Sequence, residues 1–180
     1  MVASIEYPDP SLAGAGFVLR PFRASDFASA HAASEHPTSA RWINPLTSPS
    51  GASAVEYFES ERLTGRMLDL VIADDMDDHY LGEVVLLPRD SLTFELAYIV
   101  APDARGRGLA TAAVRLMSAW AVRHLIAQRI QVRVDPDNEA SLAVAEKAGF
   151  RREGVLRSAI VVRGSRSDAV MLSFLPGDDD

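Results

Sequence analysis

The chain has 180 residues, of which 48% are hydrophobic and 24% are charged, a composition typical of one globular domain. Its net charge of −7, from 18 basic and 25 acidic residues, disfavours nonspecific binding to nucleic acid or to an anionic membrane and is compatible with a cationic amine partner. It contains no cysteine, which excludes disulfides, thiolate metal sites and a cysteine nucleophile.

Targeting segments and metal-binding patterns are missing from the sequence. No run of eighteen apolar residues occurs. A secretory signal requires positive charge near the N-terminus, and no Lys or Arg precedes Arg20. The four histidines form no His-x-x-x-His pair, and the aspartates between residues 74 and 78 lack the Gly and Glu spacing of a calcium loop. We therefore expect a cytoplasmic protein without a bound metal.

In the first half of the chain, hydrophobic spacing and turn residues predict a loose entry followed by alternating elements. Residues 1–15, with two prolines and a glycine, form the entry. The predicted elements are a strand over 17–21, a helix capped by Ser25 and ending near Glu35, an irregular segment over 37–52, a helix over 52–64, and strands over 68–73 and 80–87 joined by an acidic loop. A long irregular segment is often functional, so Trp42 is a candidate substrate contact, or else a residue packed on the core.

The second half of the chain predicts a strand, helix, strand unit and a final hairpin. The predicted elements are a strand over 93–100, a long helix ending near Ala127, a strand over 129–134, a helix over 139–147 capped by Asn138 and stopped by Gly149, and strands over 150–155 and 169–175 with a turn at Gly164 and Ser165. The strand, helix, strand order favours a parallel pair with a right-handed crossover. We expect a single domain over 16–176 and a solvated acidic tail over 177–180.

A glycine-rich loop joins the strand over 93–100 to the long helix. It consists of Arg105, Gly106, Arg107, Gly108, Leu109 and Ala110. Glycines permit positive φ and leave backbone N–H groups uncovered, and the following helix adds its N-terminal N–H groups and positive dipole end, so the loop suits a phosphate. The loop lacks the Lys-Ser/Thr ending of a Walker A motif, and Thr111 stands where a dinucleotide fingerprint needs Gly or Ala.

A third phosphate loop does match. The spacing of Arg105, Gly108 and Ala110 resembles the acyl-CoA pyrophosphate loop of the GNAT superfamily of N-acetyltransferases. Downstream, residues 138–141 (Asn-Glu-Ala-Ser) and 145–154 (Ala-Glu-Lys-Ala-Gly-Phe-Arg-Arg-Glu-Gly) resemble the second signature of its RimJ/RimL-like branch of ribosomal-protein N-terminal acetyltransferases. The tripeptide over 81–83 (Leu-Gly-Glu) is similar to the start of the third strand in that branch.

The resemblance covers residues 16–176 and implies an α/β (α+β) fold. The fold is a mixed, mostly antiparallel twisted sheet of six to seven strands with helices on both faces, splayed between the fourth strand (93–100) and the fifth (129–134). Acetyl-CoA, or another short acyl-CoA, enters this splay as co-substrate. The implied donor contacts are the backbone N–H groups from Arg105 to Ala110, the side chains of Arg105 and Arg107, the backbone of Ile99 and Val100, and the side chain of Asn138.

The implied reaction is direct attack of a primary amine on the thioester. An alkyl amine near pKa 10 is almost fully protonated at neutral pH, so a base is required. Glu95 is the leading candidate, because a carboxylate in so apolar a strand is expected to have a raised pKa; Glu83 is the runner-up and a candidate substrate contact. Many superfamily members place a tyrosine where Ala145 stands here, so Ser141, one helical turn after Asn138, is the candidate donor to the departing thiolate.

Two function classes compete at this point. The first is an acyl-CoA-dependent N-acyltransferase that acetylates a protein N-terminus or a small amine. The second is a non-catalytic acyl-CoA-binding or sensing module, which predicts binding without turnover. A nucleic-acid-binding module is opposed by the acidic balance, although Arg151, Arg152 and Arg157 form a local basic cluster. The sequence is compatible with a homodimer.

Overall fold

The computed structural model describes residues 4–45 and 50–178, which form one eight-stranded sheet with helices packed on it. The strands are β1 (Leu12–Gly14), β2 (Phe17–Arg20), β3 (Leu68–Asp74), β4 (Tyr80–Pro88), β5 (Thr93–Val100), β6 (Arg129–Val134), β7 (Arg151–Val162) and β8 (Ser165–Phe174). The helices are α1 (Phe27–Glu35), α2 (Pro37–Ala40), α3 (Gly51–Leu63), α4 (Leu109–His124) and α5 (Glu139–Lys147). The strand order is β1-β2-β3-β4-β5-β6-β8-β7.

The sheet confirms the predicted fold class, but it has eight strands within the described residues where six to seven were expected. Strands β5 and β6 are parallel and joined through α4, whereas the other paired strands are antiparallel. Strand β1 lies inside the segment that was expected to be a loose entry, and Ile5 of that segment is only 2% exposed. Its N–H donates to the carbonyl of Arg62 and its own carbonyl accepts from the Arg62 guanidinium, so residues 4–15 are tied to the domain.

Other boundaries differ from the sequence expectations for local reasons. Ser25 lies within a 3-10 turn (Ala24–Asp26) instead of capping a helix, and α1 begins at Phe27. The irregular segment contains the short helix α2, which begins with a proline at its first position. In the acidic tail, Asp178 forms an ion pair with Arg151, while residues 179–180 lie outside the described residues.

Helices cover both faces of the sheet, which explains the burial of its centre. Residues 70–72 of β3 have no exposed surface, although successive side chains of a strand point to opposite faces. Helix α4 packs on strands β4 and β5, and α1 and α3 also pack on the sheet. The longest helix, α4, has 16 residues, and none of the helices within the described ranges is long and apolar enough to cross a bilayer.

The strands β5 and β6 separate soon after they pair. They are in register only at Thr93 with Arg129, Phe94 with Ile130, and Glu95 with Gln131, whereas β5 stays paired with β4 as far as Val100. Strand β6 continues instead along β8. The predicted splay between the fourth and fifth predicted strands is therefore confirmed, and it lies between β5 and β6.

Gly82 sets how closely β4 approaches β5 beside this splay. A Cβ at this position would lie 2.2 Å from the carbonyl oxygen of Ile99 and 3.0 Å from Cα of Val100, both backbone atoms that cannot move independently of β5. Only glycine therefore fits at this position without a clash with the backbone of β5.

We expect Gly82→Ala to lower the free energy of unfolding by about 1–3 kcal/mol, because the added methyl group forces β5 away from β4. Denaturant unfolding measures the loss, and amide exchange locates it. The amide of Ala101, which donates to Leu81 at 2.8 Å, should exchange faster, whereas that of Gln128, which donates to Leu92 at 2.9 Å, should not. Unchanged stability would contradict the steric argument.

Candidate active site

Two cavities meet where β5 and β6 separate. The larger, of about 870 Å³, lies between the end of β5, the glycine-rich loop, α4 and α5, and is called the loop cavity. The smaller, of about 580 Å³, lies between β5, β6 and the hairpin of β7 and β8, and is called the hairpin cavity. Five residues line both cavities and form the junction between them: Trp42, Ile43, Tyr98, Asn138 and Ser141.

The glycine-rich loop has the backbone geometry that its sequence predicts. Gly106 and Gly108 both have φ of 78°, and a Cβ at either position would meet no atom within 4 Å, so conformation and not space requires the glycines. Gly108 precedes α4, whose first-turn N–H groups have no partner within the helix. These features, on the wall of the loop cavity, fit an anionic group such as a diphosphate.

The cations of the loop cavity are only partly those expected from the sequence. Arg107 is not among the lining residues, and its guanidinium lies 3.9 Å from the Asp74 carboxylate. Arg115 and Lys147 line the cavity instead, and the Arg115 guanidinium donates to the Lys147 carbonyl. The helical period provides the signal for Arg115, since it follows the lining residue Ala112 by three positions on one face of α4.

Arg105 lines the loop cavity and also ties the loop to neighbouring elements. Its guanidinium donates to the carbonyl of Val100 at 3.1 Å, to Ser39 Oγ at 2.6 Å and to Thr38 Oγ1. Thr38 and Ser39 belong to α2, so the side chain connects the glycine-rich loop with the segment that carries Trp42.

The expected edge of β5 is present in the loop cavity. Ile99 and Val100 line it, beyond the point where β5 leaves β6. Asn138 lies opposite, and its Oδ1 accepts from the backbone N–H of Ser141 at 3.2 Å, which confirms the predicted cap of α5. The cap uses Oδ1, while the Nδ2 amide group carries two further N–H donors.

Tyr98 supplies a hydroxyl at the junction that the sequence analysis did not single out. The hydroxyl donates to the carbonyl of Ser141 at 3.0 Å and lies 2.9 Å from its Oγ, and burial raises the pKa of Tyr98 to about 12. Strand alternation places Tyr98 on the same face of β5 as the buried residues Phe94 and Leu96. The available signal was its hydroxyl, since a buried tyrosine normally finds a hydrogen-bond partner.

Glu95 lies where β5 and β6 separate, on the wall of the hairpin cavity, but its pKa differs from the expectation. Its carboxylate accepts from Arg89 at 3.0 Å, from Arg133 at 2.8 Å and from Gln131 at 3.2 Å. Burial alone would raise the pKa of Glu95, but the two guanidinium groups outweigh it and hold the pKa below its ordinary value. The expected raised pKa is therefore wrong, because the partners come from β6 and from the loop before β5.

Glu83 lies outside the lining of both cavities, so the geometry does not support it as a base or a substrate contact. Its carboxylate accepts from the Tyr80 hydroxyl at 3.0 Å, and burial raises its pKa to about 7. Burial and the charge of Glu83 also raise the pKa of Asp69, whose side chain is 4% exposed and whose Oδ1 has no hydrogen-bond partner within the described part of the chain. The two carboxyl groups form a buried acid pair between β3 and β4.

Trp42 is half-buried and lines both cavities, and its contact with a substrate stays a prediction. The guanidinium of Arg41 lies over its ring, 4.2 Å from the ring centre. The ring therefore presents an apolar surface, supported on one side by a cation, at the point where the cavities join.

The acidic loop between β3 and β4 holds potential metal ligands away from both cavities. The ligand atoms of Asp74, Asp77 and His79 lie within 4.8 Å of one another, and Asp77 and His79 are exposed and hydrogen-bonded together. None of the three lines either cavity. The absence of a bound metal remains a prediction.

Comparison with protein families gives one match. The family model described as "Acetyltransferase (GNAT) domain" matches residues 17–151, a stretch that contains β2 to α5 and the glycine-rich loop. The chain is also 36% identical over 107 residues to the probable N-acetyltransferase YjcK of Bacillus subtilis (strain 168), covering 58% of this chain and 59% of that relative. The chain thus matches less than two thirds of the length of this curated relative.

Solved structures of similar fold cover nearly the whole chain. Mycobacterium smegmatis RimJ in complex with CoA-disulfide has a TM-score of 0.77 and 26% identity, over 89% of this chain and 82% of that chain. The ribosomal-protein-S5-alanine acetyltransferase from Vibrio fischeri has a TM-score of 0.79 and 17% identity, over 93% of this chain and 97% of that chain. At 17% identity the likeness shows the fold alone.

The buried acid pair predicts a stability that falls as pH rises. Burial raises the pKa of Glu83 from 4.5 to about 7, so in this window the folded protein holds a proton that the unfolded chain releases. Glu83→Gln removes this titration and should gain roughly 1–3 kcal/mol relative to the wild type between pH 5 and pH 8, measured by urea unfolding at both values.

Glu153→Gln is the matched control. Arg129 and Ser173 lower the pKa of Glu153 to about 2, so its contribution is lost only as pH falls between 4.5 and 2. The control variant should therefore differ from the wild type equally at pH 5 and pH 8. An equal difference for Glu83→Gln as well would contradict the raised pKa.

Proposed function

Because the chain belongs to the GNAT acetyltransferase family, we propose that it is a cytoplasmic acyl-CoA-dependent N-acyltransferase that transfers an acetyl group to a primary amine. The observation that carries the proposal is the junction, where a cavity with a diphosphate-type loop opens onto a second cavity beside Tyr98 and Ser141. Such a site can hold two substrates at once, which direct transfer requires.

The loop cavity is the donor site. The N–H groups of residues 105–110 and of the first turn of α4 bind the diphosphate, and Arg105, Arg115 and Lys147 add positive charge at the cavity wall. The backbone of Ile99 and Val100 and the side chain of Asn138 bind the pantetheine arm. Acetyl-CoA supplies the activated acetyl group; other short acyl-CoA molecules are alternatives.

The hydroxyl of Ser141 stabilises the departing thiolate, and the hydroxyl of Tyr98 orients it. When Tyr98 donates its one proton to the Ser141 carbonyl or to Ser141 Oγ, the Ser141 hydroxyl keeps its own proton for a group in the cavity. Burial keeps Tyr98 protonated across the physiological range. This pair takes the role of donor to the thiolate, which Ala145, standing at the position of the tyrosine found in many superfamily members, cannot perform.

The hairpin cavity is the acceptor site, with Glu95 at its inner end and Trp42 at the junction. We retain Glu95 as the group that accepts the amine proton, directly or through water. A carboxylate held at low pKa by Arg89 and Arg133 is a weak base, so it suits an acceptor that is already partly neutral.

These considerations favour a peptide N-terminus over a polyamine. An α-amino group has a pKa of about 7.7–8.0, so roughly a third is neutral at pH 7.5, whereas an alkyl amine near pKa 10 is almost fully charged. The charges lining the hairpin cavity are also mixed: Glu95, Asp135 and Asp137 against Arg41 and Arg133.

The activity is tested by thiol release from acetyl-CoA, and separately from succinyl-CoA, with a tetrapeptide that begins with alanine and with spermidine as acceptors. We expect release with acetyl-CoA that depends on the acceptor and is faster with the peptide at pH 7.5. Faster turnover of spermidine would reverse the acceptor assignment. Binding of acetyl-CoA by calorimetry with no release above hydrolysis would support the non-catalytic binding module instead.

Ser141→Ala and Tyr98→Phe should each lower kcat by about tenfold or more, since the first removes the hydroxyl that donates to the reacting sulfur and the second removes the group that orients it. The KM for acetyl-CoA should stay within about twofold, because neither hydroxyl is assigned to donor binding. Tyr57→Phe, which deletes the hydroxyl of a half-exposed tyrosine on α3, is the matched control and should leave both constants unchanged. Full activity of both junction variants would disprove the assigned role.

A further inference from the structure

The far end of the β7 and β8 hairpin forms one wall of the hairpin cavity. Strand β7 changes register between Leu156 and Ile160, where Ser158 has φ of 53°, and the strands then pair again from Ile160 with Ser167 to Val162 with Ser165. The lining residues of this part are Ala159, Ile160, Val161, Val162, Ser165 and Ser167. Residues 159–167 are called the hairpin tip.

The facing wall is a short segment, residues 36–44, called the strap. It includes α2 and carries Trp42 and Ile43, which line both cavities. Its α2 part is held by Arg105 of the glycine-rich loop through Thr38 and Ser39. The strap therefore separates the loop cavity from the hairpin tip.

Arg163 joins the hairpin tip to the strap and to α1. Its Nε donates to the carbonyl of Ala40 at 2.8 Å, and another guanidinium nitrogen lies 2.9 Å from the Glu35 carboxylate and 3.3 Å from the Ser34 carbonyl. Its backbone N–H donates to Asn44 Oδ1 at 2.8 Å. Arg163 thus contacts Ala40 and Asn44 of the strap and the C-terminal end of α1.

The turn geometry and two further hydrogen bonds place this contact in the hairpin. Arg163 and Gly164 have φ of 49° and 82°, the left-handed pair of a two-residue hairpin turn, so Arg163 lies at the very end of the hairpin. Asn44 returns a hydrogen bond from Nδ2 to the carbonyl of Val161 at 3.3 Å. At the base of the tip, Arg133 donates to the carbonyl of Ala159 at 3.1 Å while it also pairs with Glu95.

We infer that Arg163 is a positioning residue that determines acceptor binding by fixing the hairpin tip against the strap. Arg163 is not among the residues that line either cavity, so it acts through Trp42 and Ile43 on one side and Val161 and Val162 on the other. The inference rests on the proposed function, in which the hairpin cavity binds the amine. It assigns Arg163 no contact with the acyl donor.

The test compares Arg163→Ala and Arg163→Asn with Arg166→Ala in the full chain. Asparagine tolerates the left-handed conformation, so a loss shared by both Arg163 variants reflects the guanidinium and not the backbone. Arg166 lies on the same hairpin and also donates to a carbonyl, that of Ser158 at 3.0 Å, but this contact stays within the hairpin. The control therefore removes the same charge without touching the strap.

We expect both Arg163 variants to raise the KM for the alanine tetrapeptide by about tenfold, the loss of one or two hydrogen bonds, and to leave the KM for acetyl-CoA within about twofold. Amide exchange of residues 36–44 and 159–167 should become faster in the same variants. Arg166→Ala should change neither KM and should leave the exchange of residues 36–44 unchanged.

An unchanged acceptor KM, or equal changes in both KM values, would overturn the inference. If the wild type acetylates no acceptor, the proposed function has failed, and amide exchange decides the structural claim separately. In that case, equal amide-exchange rates of the strap residues in the wild type and in both Arg163 variants would overturn the structural claim. Faster exchange confined to the Arg163 variants would support the tie between hairpin and strap.

Discussion

The site depends on the point where β5 and β6 stop pairing, and Glu95 links the two strands at that point. It is the last residue of β5 in register with β6, and its carboxylate accepts hydrogen bonds from Gln131 and Arg133 of that strand. A fork between two parallel strands leaves backbone groups without ladder partners, which is unfavourable unless other groups bind them. The pairing of Glu95 across the separating strands stabilises the last paired position, and the open edge beyond it at Ile99 and Val100 is the surface proposed to bind the donor. Glu95 thus has a structural task in addition to the proposed proton transfer.

Two carboxylates on neighbouring strands show how position decides charge. Glu95 and Glu83 lie on the same face of the sheet, since Glu83 pairs with Ile99, four residues along β5 from Glu95. Glu95 is buried and Glu83 is half-buried, but only Glu95 has guanidinium partners, so the pKa of Glu95 is lowered while burial raises that of Glu83 to about 7. A buried acid with an acidic neighbour favours the neutral form, and one between two arginines favours the ionised form. The group at the cavity is therefore the one that stays charged.

Local signals predicted the backbone geometry of the loop cavity well. The positive φ of Gly106 and Gly108 and the cap by Asn138 follow from residue type and short spacing, so the sequence alone was sufficient. The acceptor side could not be predicted in this way. The pKa of Glu95 depends on Arg133, 38 residues away, and the role of Tyr98 depends on a partner 43 residues away on α5. Such contacts exist only after the sheet and helices have packed, and no pattern in β5 alone contains them.

The same division bears on how acceptor binding can vary in this fold. The proposed donor contacts come mainly from one continuous stretch, from β5 through the first turns of α4, and many of them are assigned to backbone groups. The proposed acceptor contacts come from side chains on elements far apart in sequence, held by pairs such as Arg133 with Glu95 and Arg163 with Glu35. A substitution at one of these pairs changes the shape of the hairpin cavity while the glycine-rich loop stays intact. In the proposed function, donor binding is thereby separated from acceptor choice, and acceptor choice depends on the few long-range contacts that hold the hairpin tip and the strap together.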